Sequence, residues 1–276
     1  MEKLQPALDA TGHYEVIPVL LTSEAASPDQ PATTTATKDN LRAVFQMLSG
    51  HEVSAEQRGR LPNAERLQRV APDDLVLFAF SGHGYTDARG NLHLLPYDVG
   101  RGRRDMKCVL PRCISSADLS AWLRDVDAGE FVLILDACHA AAAGAPPGFK
   151  PGPLGGRGLA QLAYDKALRV LAASQADDVA LESKTIGHGL LTYALIRDGL
   201  ERGRAARDGK VALGGLLAYA ADRVPPLYEE VLADQVKDIQ GRQVEALKPR
   251  DRERSRVQRP ELFDYAKNRP DVVLVK

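Results

Sequence analysis

Two short stretches hold the side chains best suited to chemistry. Ser81-Gly82-His83-Gly84 follows the apolar run at 75–80, and Asp136-Ala137-Cys138-His139 follows the apolar run at 131–135. A cysteine attacks as its thiolate. A free thiol is mostly protonated near neutral pH, so it needs a base or a cation beside it. Histidine suits that task because its pKa lies near working pH. Taken singly, a cysteine after a strand is more often a small buried hydrophobe, and Gly-His-Gly is more often a turn. Their conjunction at the ends of two buried strands points to a Cys–His pair, provided that the strands are neighbours.

His83 is the better partner for Cys138, because it approaches from a separate strand, whereas adjacent side chains such as His139 diverge on an extended chain. His188, in Gly187-His188-Gly189, reads as a helix-start residue, and His13, His51 and His93 sit in polar context without a signal. The glycines around His83 predict a tight turn that leaves the ring unobstructed and the Gly84 N–H facing a ligand.

The elements that must position these groups alternate between strand and helix. "YEVIPVLL" (14–21) predicts a strand, followed by a Pro/Ala/Ser/Thr-rich loop at 22–36. Thr37 predicts the N-cap of a helix with Leu41, Val44, Phe45 and Leu48 on one face and Gly50 near its stop. "LVLFAF" (75–80) has the continuous apolar character of a central strand covered on both faces. A hairpin turning at Arg89-Gly90-Asn91 follows, then a helix, "ADLSAWLRDV", capped by Ser116, then the strand at 131–135. Residues 144–158 hold six glycines and four prolines, which predicts a flexible surface loop. Beyond it come a strand at 167–174, a helix at 188–203, a helix at 211–232 that Pro225-Pro226 interrupts, and a short terminal strand, "DVVLVK". Alternation of this kind implies an α/β fold, a mostly parallel sheet with helices on both faces. Active groups in such sheets sit beyond the carboxyl ends of central strands.

Composition narrows the function classes. With 276 residues, 44% hydrophobic and 26% charged, the chain has ordinary globular character, and its net charge of −1 sets up no global field for nucleic acid or an anionic membrane. The basic stretch at 249–259 is diluted by Asp251 and Glu253 and reads as a solvated loop. Three cysteines build no disulfide framework, and Cys108 and Cys113 lack further ligands for zinc. No apolar stretch is long enough to cross a membrane and the N-terminus lacks leader character, so the expected location is the cytoplasm. No Gly-rich phosphate loop follows a strand, which argues against a nucleotide-binding domain.

"LVLFAFSGHGYTDARGNLHLLPYD" followed by "FVLILDACHAAAAG" resembles the caspase-like cysteine peptidases, in particular the metacaspase and bacterial orthocaspase branch. In caspases the histidine stands about 50 residues upstream of the cysteine, and here the separation is 55 residues, from His83 to Cys138. Asp-Ala-Cys replaces the Gln-Ala-Cys of true caspases, and Ala140-Ala141 stand where Ser-Gly is usual. The likeness continues through "LAASQADDVALES", "GLLTYALIRDGL" and "DGKVALGGLLAYAADRVP", so it spans roughly 14–230. It implies a single three-layer α/β/α domain over 1–276: a large-subunit-like part (1–143), a linker (144–158) and a small-subunit-like part (159–276). It implies a thiol protease, a hydrolase of protein or peptide substrates, with Cys138 as nucleophile and His83 as acid/base. The N–H groups of Gly84 and Cys138 would form the oxyanion hole. Asp136 would lie at the floor of the S1 pocket and select Arg or Lys, with Ser174 and Asp177 along the substrate groove.

The resemblance carries further expectations. Lys150 and Arg157, the basic residues of 140–160, are candidate self-cleavage points. "EKLQPALDATGHYEV" reads as the end of the helix that follows the family's first strand, so that strand is expected to be lacking. Calcium activates some members. Asp98 and Asp118 match two of their ligands, but Ala145 replaces a third, leaving too few oxygens for a site. The chemistry itself needs no cofactor. An upstream sensor or regulatory partner fits the family. The reading from another class is an inactive caspase-like scaffold or signalling module.

Overall fold

The computed structural model describes residues 14–23, 35–87, 89–99, 109–141, 154, 157–173, 189–232 and 259–275, with the backbone alone for 138–141 and 157. In chain order its helices and strands are α1 (Lys38–Leu48), α2 (Ala55–Gly59), β1 (Leu75–Thr86), β2 (Leu92–Leu95), β3 (Ile114–Ser115), α3 (Ser116–Arg124) and β4 (Glu130–Ala141). Then come α4 (Arg157–Asp165), β5 (Arg169–Ala172), α5 (Leu190–Thr192, continuing as a π-helix over Tyr193–Glu201), β6 (Val211–Ala212), α6 (Leu213–Leu232), β7 (Glu261–Asp264) and β8 (Val273–Val275).

Six strands form one sheet in the order β3-β2-β1-β4-β5-β7, and β6 pairs with β8 separately. β1, β4 and β5 run parallel, β2 runs against β1, β3 against β2, and β7 against β5. Four of the six strands (β3, β1, β4, β5) therefore point one way, which makes the sheet mixed but mostly parallel. Its central strands are apolar because both faces are covered. Phe131, Leu133, Leu135 and Ala137 pack with Phe45 of α1, Leu119 and Leu123 of α3, and Leu159 and Ala163 of α4. The alternate residues Val132 and Ile134 pack with α5 and α6 through Leu190, Leu191, Leu216 and Val224. Helices thus cover both faces, an arrangement compatible with three layers. Burying one such leucine stabilises the fold by about 1.5–3 kcal/mol, and Leu133 and Leu135 are wholly buried.

Local chemistry explains several boundaries. Thr37 caps α1, its Oγ1 accepting from Asn40 N at 3.1 Å, as the sequence predicts. For α3 the cap is Ser115 and not Ser116. Ser115 Oγ accepts from Asp118 N at 3.0 Å while the Asp118 carboxylate accepts from Ser115 N at 2.9 Å, a reciprocal capping box that Ser116 could not close.

Four other expectations are corrected. Residues 14–21 form no strand: Pro18 lacks an N–H for a ladder, and Ile17, Val19 and Leu21 instead pack against Ala43 and Met47 of α1 and against Leu61, Ala64 and Leu67. α6 runs through Pro225-Pro226 without interruption. Each proline removes a helical hydrogen bond, but Val224, Leu227, Tyr228 and Val231 are buried on both sides of the pair and hold the helix down. Residues 211–212 are strand β6, not the start of that helix. At the linker's end, Arg157 and Gly158 already belong to α4.

Two buried charge clusters lie away from the candidate site. Arg169 in β5, 1% exposed, pairs with Glu130, and its Nε lies 3.3 Å from Asp264, an ion-pair distance without hydrogen-bond alignment. Burial pushes the Glu130 carboxyl above its ordinary value, against the pull of Arg169. Asp198 on the π-helical segment is fully buried and accepts from Arg202 and Arg223 at 2.7 Å and from Arg204 at 3.3 Å. Among the described residues, no helix is long and apolar enough to cross a membrane.

Candidate active site

The starts of β1 and β4 are locked together, and that lock sets the register of everything beyond. Glu130 N donates to Asp74 O at 3.3 Å, and Leu75 pairs with Glu130. Gly129 passes so close to the preceding loop that a Cβ there would lie 1.8 Å from Pro72 O. The ladder then runs in step from Leu75↔Glu130 to Thr86↔Ala141. Both strands advance equally, so His83 meets Cys138 at one register position. Neighbouring strands lie about 4.8 Å apart, so residues 55 apart in sequence come within one strand spacing.

The two groups do not sit in turns. β1 and β4 each extend to twelve residues, well past the apolar runs that announced them. The predicted tight turn around His83 is corrected: Ser81, Gly82 and His83 are exposed but extended, and neither Gly82 nor Gly84 has positive φ. Pairing on both sides of β1 keeps this segment straight. Gly84 is buried between Leu94 of β2 and His139 of β4. Its N–H is therefore a ladder group of a central strand rather than a donor facing outward from a turn.

Asp136 stands two residues before Cys138, opposite Ser81, and is half-buried. Thr192 Oγ1 donates to its Oδ2 at 3.3 Å. Its carboxylate lies against Gly189, the N-cap residue of α5, where a Cβ would stand 2.5 Å from Oδ2. A glycine N-cap has no side chain with which to satisfy the first helical N–H groups, so the β4 carboxylate is well placed for that end of the helix. The sequence alone singles out neither Gly189 nor Thr192 as a site residue. The available signal was a helix start whose N-cap is glycine, which calls for an acceptor from elsewhere in the chain.

Other sequence candidates are placed differently. Ser174, Asp177, Lys150, Cys108, Ala145, His13 and His188 lie outside the described residues. Arg157 opens helix α4 instead of lying in a loop. Asp98 and Asp118 converge on Lys38 and not on an open site. Asp118 Oδ2 accepts from Lys38 Nζ at 2.8 Å, and Asp98 Oδ1 accepts from Lys38 N at 3.3 Å. Burial alone would raise the Asp118 pKa, but hydrogen bonds from Lys38 and Ser115 outweigh it and hold the carboxyl below its ordinary value. The Lys38 ammonium thus supplies the cation that Asp118 needs, while Asp98 is met by the backbone N–H of the same residue.

His93, which carried no signal, is largely buried on β2 opposite Tyr85, with Nε2 3.4 Å from Asp87 Oδ2. Asp87 also accepts from Arg89 N and Asn91 N at 2.9 Å, which builds the hairpin turn at the predicted place. No family model matches the chain, and no curated protein matches it.

Proposed function

We propose that the chain is a cysteine endopeptidase of the caspase-like kind, in the metacaspase and orthocaspase branch, that cleaves after Arg or Lys. The observation that supports this best is the shared register position of His83 and Cys138 on two adjacent parallel strands. In the proposed reaction the Cys138 thiolate attacks the carbonyl carbon of the scissile bond and forms a C–S bond. The C–N bond then breaks as His83 gives its proton to the leaving amine. Water next attacks the thioester carbonyl while His83 accepts its proton, and Cys138 leaves as thiolate.

The oxyanion would be met by the N–H groups of Gly84 and Cys138. Because Gly84 is a ladder residue, that role requires the upper rungs of β1 and β4 to part when substrate enters. Asp136 would pair with the P1 cation, a group that a partly buried carboxylate prefers to a neutral one. No metal or cofactor enters these steps. The cytoplasm is the proposed location, and Lys150 and Arg157 are the proposed self-cleavage points; cleavage at Arg157 would require the start of α4 to unwind, because peptidases take extended chain.

A second reading, an inactive scaffold with this fold, is favoured by one observation, the ladder engagement of Gly84. Hydrolysis of paired fluorogenic peptides ending in Arg or Asp separates the two readings. Arg cleavage lost in Cys138→Ala supports the peptidase. Cleavage of neither peptide by folded protein supports the scaffold. In Asp136→Ala the preference for a basic P1 should vanish while thiol alkylation persists.

A further inference from the structure

We infer that Thr192 and Gly189 are positioning residues for Asp136 and together set how strongly the site distinguishes Arg from Lys. This rests on the proposed role of Asp136 in the S1 pocket and says how that carboxylate is held. Thr192 is 3% exposed and sits in the first turn of α5, where its hydroxyl donates to Asp136 Oδ2 at 3.3 Å. Gly189 forms the other wall. A Cβ there would lie 2.5 Å from Oδ2, 3.3 Å from Cγ and 3.4 Å from Oδ1, so the whole carboxylate rests over the missing side chain. Beneath it, Val132 and Ile134 of β4 pack in one apolar cluster with Leu190 and Leu191 of α5, which fixes the strand against the helix.

The chemical consequence follows from the shapes of the two cations. A guanidinium is a planar fork that gains most from a carboxylate held in one plane, where two parallel N–H···O bonds form. An ammonium is a compact point charge that tolerates a rotating partner. An ionised carboxylate has about four acceptor sites, so the bond from Thr192 orients it without exhausting its capacity. The hydroxyl and the glycine therefore act on orientation and not on charge. Losing them lowers affinity for Arg more than for Lys.

The test is calorimetric binding of short peptides ending in Arg, Lys or norleucine to the Cys138→Ala chain, which binds without turnover. Adding Thr192→Val should weaken the Arg peptide about ten-fold and the other two less than about three-fold. Thr192→Ser, which keeps the hydroxyl, should retain Arg binding within about two-fold. Gly189→Ala, which displaces the carboxylate, should reproduce the Thr192→Val pattern. Equal weakening of all three peptides, or no weakening, overturns the inference. A parent that prefers Arg to norleucine but ignores Thr192→Val refutes the positioning role alone. A parent with no preference for Arg refutes the S1 role of Asp136 and the inference with it.

Discussion

Gly129→Ala probes the lock that brings His83 and Cys138 together. The new Cβ would stand 1.8 Å from Pro72 O, while ordinary contact begins near 3.4 Å, so the carbonyl or the strand must retreat by about 1.6 Å. Overpacking of this kind costs up to about 3 kcal/mol, within a total stability of roughly 5–15 kcal/mol. The variant should therefore fold, with its urea midpoint lowered by about 1 M if the slope is near 3 kcal/mol per M. The effect on function should be larger. Residue rise along a strand is about 3.3 Å, so a retreat of about 1.6 Å is half a register step, and a full step exchanges the faces of every later residue. A misplacement near 1 Å can cost about 10²-fold in rate, so kcat/KM on an Arg peptide should fall at least that far. Gly59→Ala is the control, since nothing lies within 4 Å of a Cβ there and its φ is not positive. Urea titration and peptide hydrolysis on the three proteins decide the matter. If Gly129→Ala matches Gly59→Ala in both assays, the close approach of Gly129 to Pro72 constrains neither the fold nor the register. If only stability falls, Gly129 does not set the register.

Two further outcomes follow from the ion pairs. Asp198→Asn should cost about 3 kcal/mol in urea unfolding, since it strips the carboxylate that accepts from Arg202, Arg204 and Arg223, while Arg223 keeps Glu230 at 2.6 Å. A change within about 0.5 kcal/mol, the range of ordinary surface substitutions, would show that the arginines do not depend on it. Asp118→Ala should cost about 2 kcal/mol at neutral pH through loss of the capping box and of the Lys38 pair. The folded Asp118 carboxyl titrates below its ordinary value of 3.8, so its stabilisation is complete above that value and is lost as pH falls through the lower folded value. The gap between parent and variant should thus close on acidification, and an equal gap at pH 7 and pH 2 would contradict the assignment.

The parts of the fold legible in the sequence are those whose cause is local. Continuous apolar runs marked β1 and β4 because helices cover both faces, and Thr37 marked α1 because a cap and its N–H partner lie three residues apart. The pattern Ser115-x-x-Asp118 held the correct cap of α3, and the neighbouring serine masked it. What escaped was set by distant chain. The glycine-rich continuation of β1 reads as a turn until strands on both sides hold it straight. Pro225-Pro226 reads as a break until the burial of Val224 and Leu227 is known. Thr192 and Asp136 are 56 residues apart, and nothing near either announces the other. The candidate dyad was legible as two residue types, but its register depends on Gly129 meeting Pro72, a contact that neither residue advertises.

On the proposed function, Cys138 and His83 act together on a substrate with a basic P1 residue. The most direct test is intact-mass analysis of the chain after incubation with a peptide acyloxymethyl ketone ending in Arg. A single adduct mapped to Cys138 is expected, formed far more slowly in His83→Ala and not competed by the matching Asp peptide. An adduct on Cys113 or Cys108 instead, or labelling of Cys138 at an unchanged rate in His83→Ala, would contradict it.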